Sequence, residues 1–300
     1  MVVLNTLRPQ AHQGYRGRFA PSPSGLLHFG SLIAALASYL DAKHNHGKWL
    51  VRIEDIDPPR EKLGASAEIL NTLESYGLNW DEDALYQSQQ SSLYLEVLAS
   101  LKQQKLSYHC ACSRAKIKAD GGVYQGHCRK LDLPASNNAI RVINTVATSQ
   151  YHDLIQGDVS CDKKLAGEDF IVRRKDNLFA YQLAVVVDDI YQGISHIIRG
   201  CDLLEPTARQ LSFYQILNHP APTFGHFPLA ITDEGYKLSK QNNAPAIDTK
   251  NPIPSLIAAL RFLGQQPPTE LNYASVDELL TWAISHWSIN NVPKSQEIVL

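Results

Sequence analysis

The 300-residue chain is 44% hydrophobic with a formal net charge of −2, enough to bury one large core or two modest ones. That balance excludes a strongly basic coat that binds nucleic acid indiscriminately, although a local basic patch can still serve a specific RNA contact. No apolar run approaches the ~18 residues of a membrane span, and five cysteines, an odd number, do not suggest a disulfide framework; a reduced, cytoplasmic setting is expected.

Residues 1–14 carry neither a leader-type apolar region nor an Arg-rich amphipathic pattern and read as an N-terminal extension. Tyr15 to Ala20 reads as a strand running into the turn Pro21-Ser-Pro-Ser-Gly25. A helix follows, with Leu32, Ile33, Leu36, Tyr39 and Leu40 on one apolar face. Leu50 to Ile53 is a short buried strand ending in Glu54-Asp55-Ile-Asp57, and helical patterns cover Ala65 to Tyr76 and Ser91 to Gln104. This β-α-β-α order predicts a parallel sheet flanked by helices, with ligands bound beyond the carboxyl ends of its strands. From Ser107 to about Gln156 the pattern gives way to cysteine, glycine and basic residues and then short β-like runs such as Ala139 to Val146. Tyr181 to Val187 reads as a continuous buried strand, followed by a further β run at Ile194 to Gly200 and a helix from about Thr207 to Leu217. Amphipathic helices are predicted at Ile253 to Leu263 and Val276 to Trp287. The implied organisation is a first nucleotide-binding half (15–106), an insert (107–180), a second half (181–250) and a helical C-terminal segment (251–300).

Two stretches carry the chemistry. Arg18-Phe-Ala-Pro-Ser-Pro-Ser-Gly leads into His28-Phe-Gly30-Ser31 at a strand-to-helix turn, and Lys237-Leu-Ser239-Lys240 forms a lysine-bearing loop. Activation of a carboxylic acid by ATP needs the triphosphate held still, and a helix start with small residues lets phosphates approach backbone amides. His28 can donate to phosphate oxygens, Gly30 permits close approach of the nucleoside, and Lys237 and Lys240 supply mobile cations as charge moves in the transition state.

Together these stretches resemble the paired signatures of class I aminoacyl-tRNA synthetases, in the wording of the glutamyl branch. Lys237-Leu-Ser-Lys-Gln241 departs from the usual lysine signature at its second and last residues; leucine for methionine conserves volume. The resemblance implies an α/β class I fold, a Rossmann-like parallel sheet split by an inserted α/β zinc-containing subdomain. It implies ATP contacts at His28, Gly30, Ser31, Lys237, Ser239 and Lys240, with Mg2+ accompanying ATP. It places glutamate contacts at Arg18, Phe19, Ala20, Pro21, Ser22, Glu54, Tyr181 and Arg199. Arginine suits a dicarboxylate because its planar fork holds a carboxylate bidentately; Glu54 would meet the ammonium group and Tyr181 would fix orientation. The glutaminyl branch carries a neutral residue where Arg199 stands, so glutamate is the expected amino acid.

Within the insert, Cys110-x-Cys112 and Cys128 have spacing compatible with a tetrahedral metal site. From spacing alone the fourth ligand is open, with His109 and His127 the commoner residue types. The resemblance selects Tyr124, and four protein ligands around one Zn2+ leave no open position, so the metal is expected to be structural. Arg114, Lys116, Lys118, Arg129 and Lys130 against Asp120 give this module a net +4 in 21 residues, a patch that can guide a phosphate backbone.

Residues 251–300 hold Arg261 and Lys294 against Glu270, Asp277, Glu278 and Glu297, which suits no anticodon reader. The resemblance, over about residues 15 to 260, is therefore closest to shortened glutamyl-synthetase paralogs without an anticodon-binding domain. The resemblance implies activation of glutamate with ATP and its transfer to the queuosine base in the anticodon of tRNA(Asp). Activation without tRNA is expected, since no anticodon domain is read that could transmit a licensing signal. A monomer is expected. The competing readings are a truncated conventional glutamyl-tRNA synthetase and a non-catalytic synthetase-like regulator.

Overall fold

The computed structural model describes residues 14–233, 235–236 and 245–300. In chain order its elements are β1 (Arg16–Phe19), α1 (Phe29–His44), β2 (Lys48–Ile53), α2 (Ala65–Ser75), β3 (Leu85–Tyr86), α3 (Ser91–Gln103), β4 (Ser107–Cys110), α4 (Arg114–Ala119), β5 (Ala139–Val142), β6 (Gln150–Asp153), β7 (Gly157–Ser160), α5 (Lys163–Gly167), β8 (Ile171–Arg173), α6 (Tyr181–Tyr191), β9 (His196–Gly200), α7 (Leu204–Ile216), β10 (Thr223–Phe227), β11 (Leu229–Ile231), α8 (Ile253–Phe262), α9 (Val276–His286) and β12 (Glu297–Val299).

Strands β1, β2 and β3 pair in parallel, as do β9 and β10. The two groups abut where Ser195 N donates to Arg16 O at 3.0 Å and the Ser195 hydroxyl accepts from Arg16 N at 2.8 Å. The parallel sheet inferred from the β-α-β-α order is thus present, with its strand ends turned to one cleft. Helix α1 covers it. Its residues Leu32, Leu36 and Leu40 are at most 1% exposed, a spacing of four that keeps one face against the sheet. They share a core with Trp49, whose indole N–H reaches the Ser38 hydroxyl at 3.0 Å.

The C-terminal segment belongs to the same core. Helices α8 and α9 pack on α1, and the Asp41 carboxylate on α1 accepts from Trp287 Nε1 at 2.9 Å and from the Tyr15 hydroxyl. Beyond the two predicted helices lies β12, which pairs in parallel with β11. At the end of α8, Gly264 adopts φ +72°, and a Cβ there would sit 2.0 Å from Asn291 O. Gly264→Ala should therefore destabilise the fold by about 1–3 kcal/mol or more, read as a shifted urea midpoint; an unchanged midpoint would show that this turn can rearrange freely.

Residues from Ser107 onward add an antiparallel sheet, β4-β5-β8, and a β6–β7 hairpin. They share a second core with α3, α6 and α7 through Val142, Phe170 and Val172.

Tyr181–Tyr191 is a helix, not the strand its apolar run suggests. Every residue from Leu183 to Ile190 is buried, and a helix enclosed on all sides needs no polar stripe, so its sequence loses the period that would have revealed it. The helical turn also explains the consecutive acids at its end. Neighbours on a strand point to opposite faces, whereas here both approach one guanidinium: Arg52 lies 2.8 Å from Asp189 and 3.9 Å from Asp188.

Candidate active site

Beyond the carboxyl ends of β1, β2, β9 and β10 opens a cleft of about 600 Å³. Arg18, Phe19, Ala20, Pro21, Ser22, Glu54, Tyr181 and Arg199 all line it, and so do His28, Gly30 and Ser31 at the start of α1. The structure thus brings together all the predicted glutamate contacts and the first nucleotide signature. Lys237, Ser239 and Lys240 lie outside the described residues. Their flanks are informative, because Ala246 forms an antiparallel bridge with His28 and Ile247 N donates to Leu27 O at 3.1 Å. The chain leaving the lysine segment therefore returns to the histidine turn.

The turn is held from below. Glu54 N donates to Pro21 O at 3.0 Å, which fixes the end of β2 against the Pro-Ser turn after β1. His28 caps α1, its Nδ1 accepting from Ser31 N at 3.4 Å, which places the positive end of the helix beside the cleft that Gly30 and Ser31 line.

The two arginines are supported in different ways. Arg18 is 5% exposed and its Nε donates to Asp189 at 3.3 Å. Asp189 also pairs with Arg52 and accepts from the Tyr214 hydroxyl at 3.2 Å. Burial would raise the Asp189 carboxyl, but Arg52 and Arg18 outweigh it and hold the group below its ordinary range. Arg199 is 4% exposed, and its hydrogen-bond acceptors are neutral side chains. Its Nε donates to His226 Nε2 at 3.0 Å, and one terminal nitrogen donates to Thr207 and Gln210 at 2.6 and 2.7 Å. Its other terminal nitrogen is buried with no partner among the described residues. Burial, with the neighbouring Arg18 cation, lowers the guanidinium pKa against the opposing pull of Tyr181 and Asp189. Glu54, on the same cleft, is raised by burial against the lowering pull of Arg52 and Arg18. A ligand with two carboxylates and one ammonium group matches these charges.

Sequence reasoning missed the residues behind the cleft: Arg52, Asp188, Asp189, Asp153, Thr207, Gln210 and His226. One signal was available, since Arg52 interrupts the apolar run Trp49-Leu-Val-Arg-Ile53 and a fully buried charge requires a partner.

Away from the cleft, the Cys110, Cys112 and Cys128 sulfurs all lie within 4.8 Å of one another. The Cys112–Cys128 separation is 3.6 Å, far beyond a disulfide bond and close to the ~3.8 Å edge of a tetrahedron with zinc–sulfur bonds. The Tyr124 hydroxyl adjoins this cluster, accepting from Cys128 N at 3.0 Å. Arg141 Nε approaches Cys110 Sγ at 3.3 Å and its guanidinium lies 3.8 Å above the Tyr124 ring. Three converging sulfurs of this kind can hold a soft divalent metal ion.

The family of "tRNA synthetases class I (E and Q), catalytic domain" matches residues 15–288. The chain is 62% identical to the glutamyl-Q tRNA(Asp) synthetase of Colwellia psychrerythraea, covering 99% of this chain and 98% of that protein. It is 56% identical to the protein of the same name from Escherichia coli O6:H1, covering 94% and 91%. Among solved structures, a glutamate tRNA ligase from Elizabethkingia meningosepticum, crystallised with its amino acid, superposes with a TM-score of 0.78 at 26% identity. That match covers 94% of this chain but 66% of the ligase, so the present chain spans about two thirds of its length. The matched span, the near end-to-end identity and the cleft agree: this chain belongs to the class I E and Q tRNA synthetase catalytic-domain family.

Proposed function

We propose that this chain activates L-glutamate with ATP and transfers the glutamyl group to queuosine in the anticodon of tRNA(Asp). In the first step a glutamate α-carboxylate oxygen attacks the α-phosphorus of ATP, pyrophosphate leaves, and glutamyl-AMP remains in the cleft. In the second, a hydroxyl of the queuosine diol attacks the activated carbonyl, an ester forms and AMP leaves. The observation that carries this reading is the convergence of Arg18, Glu54, Tyr181 and Arg199 in one cleft with His28, Gly30 and Ser31. The name of relatives matching along nearly the whole chain supports the acceptor.

Arg18 and Arg199 hold the two carboxylates, Glu54 meets the ammonium group and the Tyr181 hydroxyl orients the amino acid. Phe19 to Ser22 shape the floor. His28, with Gly30 and Ser31 at the start of α1, binds ATP, and Lys237, Ser239 and Lys240 stabilise the charge that develops on the phosphates. Activation proceeds without tRNA. One Zn2+ on Cys110, Cys112, Tyr124 and Cys128 stiffens the insert, and the reaction runs in the cytoplasm where tRNA and ATP meet.

The test uses radiolabelled glutamate, ATP and tRNA(Asp) with and without queuosine, followed by nuclease mapping. Label on the anticodon nucleotide of the queuosine-containing tRNA alone is the expected result. Label on the terminal adenosine of tRNA(Glu) would instead establish a conventional glutamyl-tRNA synthetase, and absence of glutamate-dependent pyrophosphate exchange would establish a non-catalytic protein.

A further inference from the structure

Behind Arg199 stands a buried pair that the proposed reaction does not itself use. His226 and Asp153 are both 0% exposed. Asp153 Oδ1 accepts from the backbone N–H groups of Ile155, Gln156 and His226 at 3.0, 2.9 and 3.0 Å. Its Oδ2 lies 2.5 Å from His226 Nδ1. His226 Nε2 then faces Arg199 Nε at 3.0 Å. Arginine has only donors, so Nε2 must be a lone pair and the proton must sit on Nδ1.

We infer that Asp153 and His226 are positioning residues for Arg199: the carboxylate selects the Nδ1–H tautomer, and the imidazole acts as a neutral acceptor that aims the guanidinium into the cleft. A carboxylate touching Arg199 directly would orient it equally well but would weaken its pull on an anion. The intervening neutral ring keeps Asp153 one side chain further away. Arg199 thus stays rigid and still attracts an anion, and the terminal nitrogen that has no partner among the described residues is left for that ligand. Burial and the Arg199 cation lower the His226 pKa against the pull of Asp153, which favours the neutral ring.

The inference rests on Arg199 contacting glutamate and makes a distinct prediction. In Asp153→Asn the amide oxygen must take the Oδ1 position, where three N–H groups require an acceptor. The NH2 then faces Nδ1, the histidine is forced into the Nε2–H form, and two donors meet at Arg199. In pyrophosphate exchange the glutamate KM should rise about ten- to a hundredfold, the effect of one lost charged hydrogen bond, with kcat and the ATP KM changed less than about threefold. His226→Gln keeps an acceptor for Arg199 that does not depend on residue 153. In that background Asp153→Asn should add less than about threefold.

Equal penalties in both backgrounds, or a kcat loss without a KM rise, would overturn the relay. Nitrogen NMR of the unmodified protein gives an independent answer should a variant not fold: the Nδ1–H tautomer supports the inference, while an Nε2–H tautomer or an imidazolium overturns it. Arg199→Ala serves as the control, because an unchanged glutamate KM there would mean that the pocket assignment itself, and not the relay, is at fault.

Discussion

Arg199→Ala should raise the glutamate KM by the equivalent of about 2–5 kcal/mol, roughly thirtyfold to several thousandfold, and leave ATP binding nearly intact. The size follows from burial and from the company Arg199 keeps. Its described hydrogen-bond acceptors, His226, Thr207 and Gln210, are neutral, so a bound carboxylate is the strongest partner available to it. Removing the cation strands that carboxylate in a site shielded from water, where an unpaired charge is costly. Glutamine, whose amide gains little from a guanidinium, should lose far less, so the variant's preference for glutamate over glutamine should shrink as its glutamate KM rises. Pyrophosphate exchange with each amino acid measures both quantities. A glutamate KM within threefold of the unmodified enzyme would remove Arg199 from the pocket.

The asymmetry between Arg18 and Arg199 could not be read from the sequence, although both arginines were. Each lies in a short stretch whose wording is local: Arg18 opens the turn that leads to His28, and Arg199 stands in His196-Ile-Ile-Arg-Gly-Cys-Asp202. What surrounds them is not local. Asp153 reaches His226 across 73 positions, and Arg18 reaches Asp189 across 171. An isolated buried acid or histidine leaves no periodic trace, so only the fold reveals these partners. In the first hundred residues α2 and α3 were legible because each keeps one wet face. Helix α1, buried from Ala35 to Ala42, was legible from the helical spacing of its large apolar side chains. Helix α6 was not, since its enclosed position erased the distinction between a helix and a strand. Its final acids, Asp188 and Asp189, then tie the misread segment to Arg52 and Arg18, so one error of period concealed the whole electrostatic floor of the cleft.

The proposed zinc site makes the opposite prediction, a large effect on stability with little on the activation step. None of Cys110, Cys112, Tyr124 and Cys128 lines the cleft. Their small core of Cys110, Tyr124 and Cys128, packed against Tyr108 and Ile117, is slight beside the second core that anchors β5 and β8, so the 110–130 segment is the part with the least side-chain packing of its own. A bound ion supplies what the side chains lack, and because a folded site binds it while an unfolded chain largely does not, its affinity becomes folding stability. Cys110→Ser should therefore lower zinc content from about one per chain and destabilise the protein by about 2–4 kcal/mol, a fall in Tm of roughly 4–15 °C. Glutamate-dependent pyrophosphate exchange per folded molecule should stay within about threefold of the unmodified rate. A chelator applied to the unmodified enzyme should reproduce the loss of stability, and added zinc should reverse it. Full zinc occupancy in Cys110→Ser would show that the ligand set is wrong; an exchange rate that collapses while Tm holds would move the metal from scaffold to chemistry.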